Sequence, residues 1–410
     1  MLTRFIASSG LANLADGIAV VVWAWLASLL TRDPLLIAAL PVVLRLPWFL
    51  FAIPAGLVTD RVDRRQLILA MDAVRAVAFT VVGGAIWLAM PFDPPPENGI
   101  ADPWLFTVLA LSAVVIGVAE VFRDNAAQTM MPSLVPHDQL EKANGRLWSV
   151  ELVGNSLLGP ALGAFLIAVY LPLPFLLNAA AFAIGTWLVL SITGQFRPEQ
   201  QTDRNWRREL HEGWKFLKTS PVLKLLALST GAWNLLHQMI VIALVLHVQE
   251  NLGLGAPAYG LILAAGAIGG IAGGAVAARI VDRLGRGRAA QMMALQSALA
   301  FAAIPFVPNA WGLALLFVVS EFTGIVWNTV SVSYRQRIIP DALLGRVNSL
   351  YRLLAWGMMP IGLALSGVLT RLAEGPLPRD AALLVPFIVA GLGSLLLAAV
   401  IWRPLGRAFD

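Results

Sequence analysis

The chain has no cysteine in 410 residues, which excludes disulfides, thiol catalysis and thiolate metal ligands. Histidine is almost as scarce: His137, His211, His237 and His247 are the four, and they form no HExxH metal pair. A phosphate loop ending in Gly-Lys-Ser or Gly-Lys-Thr is missing, and no serine, histidine and acid constellation can be nominated. Enzyme chemistry and ATP-driven transport by this chain therefore find no support, and no catalytic residue, metal or cofactor is expected. Charge is sparse too. Asp, Glu, Lys and Arg make up 13% of the residues against 58% hydrophobic, and the mean hydropathy is +0.76. No ordinary water-soluble domain has that balance, so the chain reads as a polytopic membrane protein.

A helix needs about 20 apolar residues to cross a ~30 Å hydrocarbon core. Twelve such stretches are predicted, near 5–30, 35–57, 67–90, 103–122, 146–170, 172–194, 222–249, 258–280, 289–307, 311–331, 347–371 and 382–402. The expected class is an all-α membrane protein of 12 transmembrane helices. Assigning alternate loops to the cytoplasm puts 23 of the 29 basic residues there, with Arg32, Arg371 and Arg379 outside and Arg45, Arg75 and Arg352 within helices. Positive charge gathers in the cytoplasmic loops of membrane proteins, so both termini are expected in the cytoplasm. The same asymmetry accounts for the net charge of +5 and removes the case for nucleic-acid binding. The first apolar run is too long for a signal-peptide h-region and carries Asn13 and Asp16, so it is expected to stay as a membrane helix.

The chain repeats itself. Val135-Pro136 to Asn144 and Ile339-Pro340 to Asn348 align at a spacing of 204, with Leu140 on Leu344 and Gly163 on Gly367. Trp104 and Trp311 open corresponding helices at the outer interface, where indole rings favour the headgroup level. The expected domains are a six-helix bundle over 1–194, a cytoplasmic amphipathic linker over 195–221 and a second bundle over 222–410. In the linker Trp206, Leu210, Trp214 and Leu217 recur at helical spacing among Arg207, Arg208, Lys215 and Lys218. That is the pattern of an interfacial helix on anionic lipid. It reads first as a tether lying on the membrane, with a regulatory or partner-binding role as the alternative.

The stretch Gly56-Leu57-Val58-Thr59-Asp60-Arg61-Val62-Asp63-Arg64-Arg65 carries five charges in six residues between two membrane-length runs. Neither helix can draw those charges into hydrocarbon without a cost of several kcal/mol, so they form a tight cytoplasmic elbow. The stretch resembles the signature between the second and third helices of the major facilitator superfamily, usually Gly-x-Leu-x-Asp-Arg-x-Gly-Arg-Arg or Lys. Gly56, Asp60, Arg61, Arg64 and Arg65 fall on the pattern, while Val58 replaces its Leu and Asp63 its second Gly. A second copy, Asp282-Arg283-Leu284-Gly285-Arg286, stands 222 residues on, with Ala278 for the first Gly and Gly287 for the last basic residue. The segments Arg123 to Gln128, Met131 to Pro136, Gly159 to Gly163 and Gly345 to Ser349 are similar to the branch holding the enterobactin exporter and the macrolide efflux proteins. The resemblance implies two pseudo-symmetric six-helix bundles in a bacterial cytoplasmic (inner) membrane and a substrate site near the midplane. It also implies a cytoplasmic gate at Gly56, Asp60, Arg61, Arg64, Arg65, Arg123, Asp282 and Arg283, in which Asp60 engages Arg123 or the start of the eleventh predicted span, 347–371.

An ionisable residue at a helix centre costs about 2.5 to 3.5 kcal/mol on insertion scales, so each is a functional hypothesis. At about 1.5 Å rise per residue, Asp16 lies roughly 17 Å from the cytoplasmic end of its helix and Arg45 roughly 15 Å from the outer end of the next. They therefore reach one depth and would pair across adjacent helices. A carboxylate that alternates between paired and unpaired surroundings can couple transport to protons; a static pair that only fixes packing is the alternative. Glu321, roughly 15 Å into its helix, is the second candidate, with a bond to a neighbouring hydroxyl or to the Arg352 region as the other reading. Glu120, Glu151 and Arg352 are assigned to gate networks, although Glu151 with Asn155 would also suit a polar cavity. Asp72 and Arg75, three residues apart, read as a local ion pair; His237 and His247 read first as hydrogen-bonded helix contacts, with titration near neutrality as the alternative. Trp23, Trp25, Trp48, Trp233, Trp327 and Trp356 are candidates for an aromatic cavity lining that would suit a bulky, largely apolar cargo. The expected function is proton-coupled export of a small hydrophobic or amphipathic organic molecule, with the lipid bilayer, that cargo and protons as partners. Siderophore or lipid export is a second reading, and a non-transporting membrane scaffold or sensor a third.

Overall fold

A computed structural model describes residues 1–59, 61–136, 139–197 and 206–409. Among the described residues there is no β-strand, and 12 helical segments are long and apolar enough to cross a membrane. The first six are α1 (Leu2–Leu30), α2 (Pro34–Thr59), α3 (Arg64–Ala89), α4 (Pro103–Met130), α5 (Leu140–Leu152) running through a π-helical segment into α6 (Gly159–Val169), and α7 (Leu173–Leu190). The linker helix α8 (Trp206–Thr219) follows. The second six are α9 (Pro221–Leu246), α10 (Ala256–Leu284), α11 (Arg286–Ala303), α12 (Ala310–Ile338), α13 (Asp341–Trp356) with α14 (Met358–Ala373), and α15 (Arg379–Ala382) with α16 (Val385–Ala408).

Helix starts are written in the sequence. Asp102 caps α4 by accepting from the Leu105 amide at 2.9 Å, with Pro103 behind it, and Asn309 caps α12 through the Gly312 amide at 2.9 Å. Ser220 caps α9 through Leu223, again followed by a proline. Such caps satisfy amides that the first helical turn leaves without partners. Pro41, Pro47 and Pro54 sit inside α2, which a membrane helix tolerates where neighbouring helices shield the freed carbonyls.

By internal contacts the chain divides into Met1–Gln201 with Leu254–Ala264, and Thr202–Gly253 with Ala265–Asp410. The same packing plan recurs in each. In the first unit α3 packs on α4 and α7, and α1 on α6 and α7; in the second α11 packs on α12 and α16, and α9 on α14 and α16. Close approach is bought by small residues in the manner of membrane helices. A methyl on Gly159 would lie 2.5 Å from the Gly17 Cα, so α6 meets α1 one residue beyond Asp16 backbone to backbone. The linker helix packs on protein. Leu217 is buried in a cluster with Leu223, Ile339, Val347 and Leu350, and Glu212 accepts from Arg346 Nη1 at 2.6 Å, which docks α8 on α13 of the second unit.

Candidate functional site

The first unit holds a chain of charges between helices. Asp16 on α1 pairs with Arg75 on α3, Asp72 on α3 lies 3.4 Å from Arg123 on α4, and Arg123 reaches Asp124 at 3.4 Å and Ser9 Oγ at 3.4 Å. Arg75 and Arg123 are 0% and 1% exposed, so neither has water to fall back on, and each is held by a carboxylate from another helix. Arg75 also lies over the Phe182 ring, 4.0 Å from its centroid. On the side of this chain Glu120 accepts from Trp48 Nε1 at 3.1 Å and from Arg45 Nη1 at 3.4 Å. Four carboxylates thus face three guanidiniums, leaving one acid without a cation of its own.

Two expected pairs are corrected. Asp16 does not meet Arg45; its partner is Arg75, and Arg45 turns to Glu120. Matching depths along two helices fix height but not the face on which a side chain leaves, and the faces of α1 and α3 converge here. Asp72 and Arg75 do not close a local pair either, because each has an opposite charge on a neighbouring helix. Glu151 is half-buried on α5 with Arg123 as a charged neighbour, and Asn155 lies in the π-helical segment, its backbone carbonyl against Gly17.

The elbow between α2 and α3 is built on helix ends. Arg64 donates to the Thr129 carbonyl at 2.9 Å, in the last turn of α4, and Arg65 to the Val189 and Leu190 carbonyls at 3.1 and 2.8 Å, at the end of α7. Cations there satisfy orphan carbonyls and the negative end of the helix dipole. Asp63, the departure from the family pattern, has its own work: Oδ1 caps α3 through the Gln66 amide at 3.1 Å and Oδ2 accepts from the Phe196 amide at 2.9 Å. Arg61 is exposed, and a side chain on Gly56 would meet open space. Asp60 lies outside the described residues. Its expected partner Arg123 is engaged by Asp72, Asp124 and Ser9. In the second copy Asp282 and Arg283 are exposed and in no ion pair among the described residues, while Gly285 turns the chain at φ +77°.

The second unit contains a cavity of about 180 Å³ walled by Trp233, Trp327 and Trp356 together with Ser229, Asn234 and Asn328. No charged residue is in its wall. Both inner indoles have their N–H groups occupied, Trp233 on Ser297 Oγ at 2.7 Å and Trp327 on Thr230 Oγ1 at 3.0 Å, so they offer the cavity ring surface. Thr230 is held in turn by Tyr351 at 2.7 Å. Behind Trp233 lies His237, stacked on it at 4.7 Å with 8° between planes. His237 Nε2 is 3.0 Å from Glu321 Oε1, though off the line of a hydrogen bond, since that nitrogen is buried without a bonding partner. Phe301 and Phe317 complete the aromatic surround.

Of the six candidate tryptophans, three come together here; Trp25 is instead buried beside Tyr259, 5.9 Å between ring centroids. Trp23 does not join them either: it is 1% exposed, edge-on to Phe175 at 5.6 Å in the core of the first unit. Trp48 is occupied with Glu120. Glu321 meets neither a hydroxyl nor Arg352, whose guanidinium lies 5.4 Å over Trp356. Sequence reasoning missed the pairing of His237 with Glu321. The i, i+4 spacing of Trp233 and His237 signals only their stacking on one face of α9, while the pairing with Glu321 depends on which faces of α9 and α12 meet.

Among the described residues, twelve membrane-length helices fall into two units with one packing plan, a charge chain in one and an uncharged aromatic cavity in the other, which is the architecture of a duplicated helical membrane protein. The family model described as Major Facilitator Superfamily matches residues 5–364 and 235–408, and the chain belongs to that superfamily. The multidrug efflux pump Tap of Mycobacterium tuberculosis is 25% identical over 423 residues, covering 97% of this chain and 96% of its own. Macrolide efflux protein A of Enterococcus faecalis is 26% identical over 182 residues, 42% of this chain and 50% of its own. Among solved structures, a bacterial homologue of the iron transporter ferroportin in an inward-facing state has a TM-score of 0.72 at 19% identity, covering 99% of this chain and 97% of its own. A bacterial homologue of the lysosomal transporter Spinster has a TM-score of 0.73 at 14% identity, covering 100% and 96%. These likenesses speak to the fold alone.

Proposed function

We propose that the protein is a secondary active exporter that carries a small, largely apolar organic molecule out of a bacterial cytoplasm in exchange for protons. The observation that carries the reading is the uncharged, tryptophan-walled cavity of the second unit. Ring faces hold flat or bulky apolar cargo by stacking and dispersion, and the few amides and hydroxyls in the wall fix its orientation. In keeping with this, the full-length relative is a multidrug efflux pump and a partial relative a macrolide efflux protein. An anionic siderophore would need a cation to receive it, and the wall offers none.

Protons are the proposed driving ion, and Asp16 and Glu321 the proposed coupling carboxylates. Each faces a partner on another helix that can hold or release it, Arg75 for Asp16 and His237 for Glu321. Arg45, which faces Glu120, acts beside that network. Arg64 and Arg65, bound to the ends of α4 and α7, support an inner gate in which those helix ends move together with the elbow. Both termini and this elbow are proposed to lie in the cytoplasm, as the basic loops require. The test compares gradient-driven transport with counterflow, exchange of cargo across vesicles at equal pH. Asp16→Asn and Glu321→Gln should lose the first and keep the second. A variant with wild-type gradient-driven transport removes that carboxylate from the coupling role.

A further inference from the structure

We infer that the second-unit cavity and the His237–Glu321 pair are one proton-linked binding site for a flat conjugated molecule bearing a delocalised positive charge, with Trp233 as the wall they share. The inference rests on the transport reading and deepens it by naming the cargo class and the titrating pair.

The class of cargo follows from which groups are spent and which are open. Trp233 and Trp327 have given their N–H groups to Ser297 and Thr230, so their hydrogen-bonding edges are not on offer and their faces are. Asn234 has given its amide N–H to the Ala355 carbonyl, and Ser394 its hydroxyl to the Gly391 carbonyl. Asn328 and Ser229 make no bond among the described residues, which leaves a small polar edge against a large aromatic surface. A flat conjugated molecule matches that surface by stacking, and a delocalised cation adds attraction to the ring faces. An anion finds no donor of opposite charge.

The link to protons runs through one ring. The imidazole of His237 is parallel to the indole of Trp233, and its other environment is Glu321 on α12, Phe301 on α11 and Phe317 on α12. Gly266 on α10 faces Glu321 without a charge, a Cβ there coming 2.9 Å from its Cγ. From the remaining helices packed on α9, Arg352 on α13 is over Trp356, Arg371 on α14 pairs with Glu374 at 3.5 Å, and Arg403 and Arg407 lie at the far end of α16. Glu321 is therefore the one acid in ion-pair range of His237 among the described residues. With His237 neutral and Glu321 ionised, the pair carries one negative charge behind Trp233, which favours a cationic cargo. A proton on the pair cancels that charge and places an imidazolium under the indole. Cargo and proton thus oppose each other at one site, which is the requirement for exchange.

The test is equilibrium binding to the purified full-length protein by fluorescence anisotropy, using rhodamine 6G, a flat delocalised cation, and sulforhodamine B, which has the same ring system with net negative charge. Rhodamine 6G should bind about tenfold more tightly at pH 8 than at pH 5.5, the size expected of one charge roughly 10 Å away at an effective dielectric of about 25. Sulforhodamine B should bind weakly at both. His237→Gln and Glu321→Gln should each flatten the pH dependence to within twofold, and Trp233→Phe, a milder change that keeps a stackable ring, should weaken binding several-fold while keeping it. Variants are read only as monodisperse protein, with Trp233→Phe serving if the other two fail to fold. Equal binding of both dyes, or none of rhodamine 6G, overturns the cargo class. Persistence of the pH dependence in His237→Gln, or an unchanged affinity in Trp233→Phe, overturns the shared site, as does its loss in Asp16→Asn alone, which puts the titrating group in the first unit. Gradient-driven transport in vesicles, measured on the same preparations, separates these outcomes from failure of the transport reading.

Discussion

Replacing Arg75 by methionine probes the pairing on which the first unit depends. Arg75 is 0% exposed, and Asp16 is its hydrogen-bond partner while its Nε and Nη1 have none among the described residues. Methionine keeps the length of the chain and its contact with Phe182 but leaves the Asp16 carboxylate without a cation. Breaking one side of a buried pair costs about 3–5 kcal/mol, because the other charge stays buried. Arg75→Met should therefore lower stability by about that amount, and adding Asp16→Asn should restore most of it, giving a coupling energy of about 2–3 kcal/mol in a double-mutant cycle. Arg45→Met is the internal comparison: its side chain is 32% exposed and 3.4 Å from Glu120, so it should cost less than about 1 kcal/mol. Reversible unfolding of the purified protein in mixed micelles, followed by far-ultraviolet circular dichroism, reads all of these. Additive Arg75 and Asp16 effects, or a larger coupling of Asp16 to Arg45, would refute the pairing.

Gly266→Ala places a methyl 2.9 Å from Glu321 Cγ; it should reduce gradient-driven transport several-fold with counterflow retained, and equal losses of both would mean a packing defect instead. Asp63→Ala removes the cap of α3 and the acceptor for the Phe196 amide, and should destabilise by about 0.5–2 kcal/mol in the same unfolding assay. Single cysteines are clean probes in a chain that has none: one at exposed Glu97 should react with an impermeant maleimide from outside intact cells, and one at exposed Arg61 only after permeabilisation.

The sequence carried the fold because its signals are strong and local. Each apolar run is long enough for one span, and Pro136 and Pro340 mark the duplication without any knowledge of packing. Side-chain partnership was harder to read. Depth arithmetic put Asp16 level with Arg45, yet pairing is decided by which faces of α1, α2 and α3 converge, and helix rise says nothing about azimuth between helices. Asp72 and Arg75 were three apart on one face, which favours a local pair at a solvated surface; inside the bundle each finds a charge on another helix. Trp23 and Trp233 looked alike as membrane tryptophans. What separates them is that Trp23 is enclosed by Phe175 and the core, whereas Trp233 stands between a cavity and His237.

The most direct test of the account is transport of rhodamine 6G in inverted vesicles containing the purified protein, with an acid-inside pH gradient imposed and no nucleotide present. The account predicts uptake that collapses when nigericin dissipates the gradient, that is indifferent to ATP, and that is lost in Glu321→Gln. Uptake that survives nigericin, or that requires ATP, would contradict proton-coupled export.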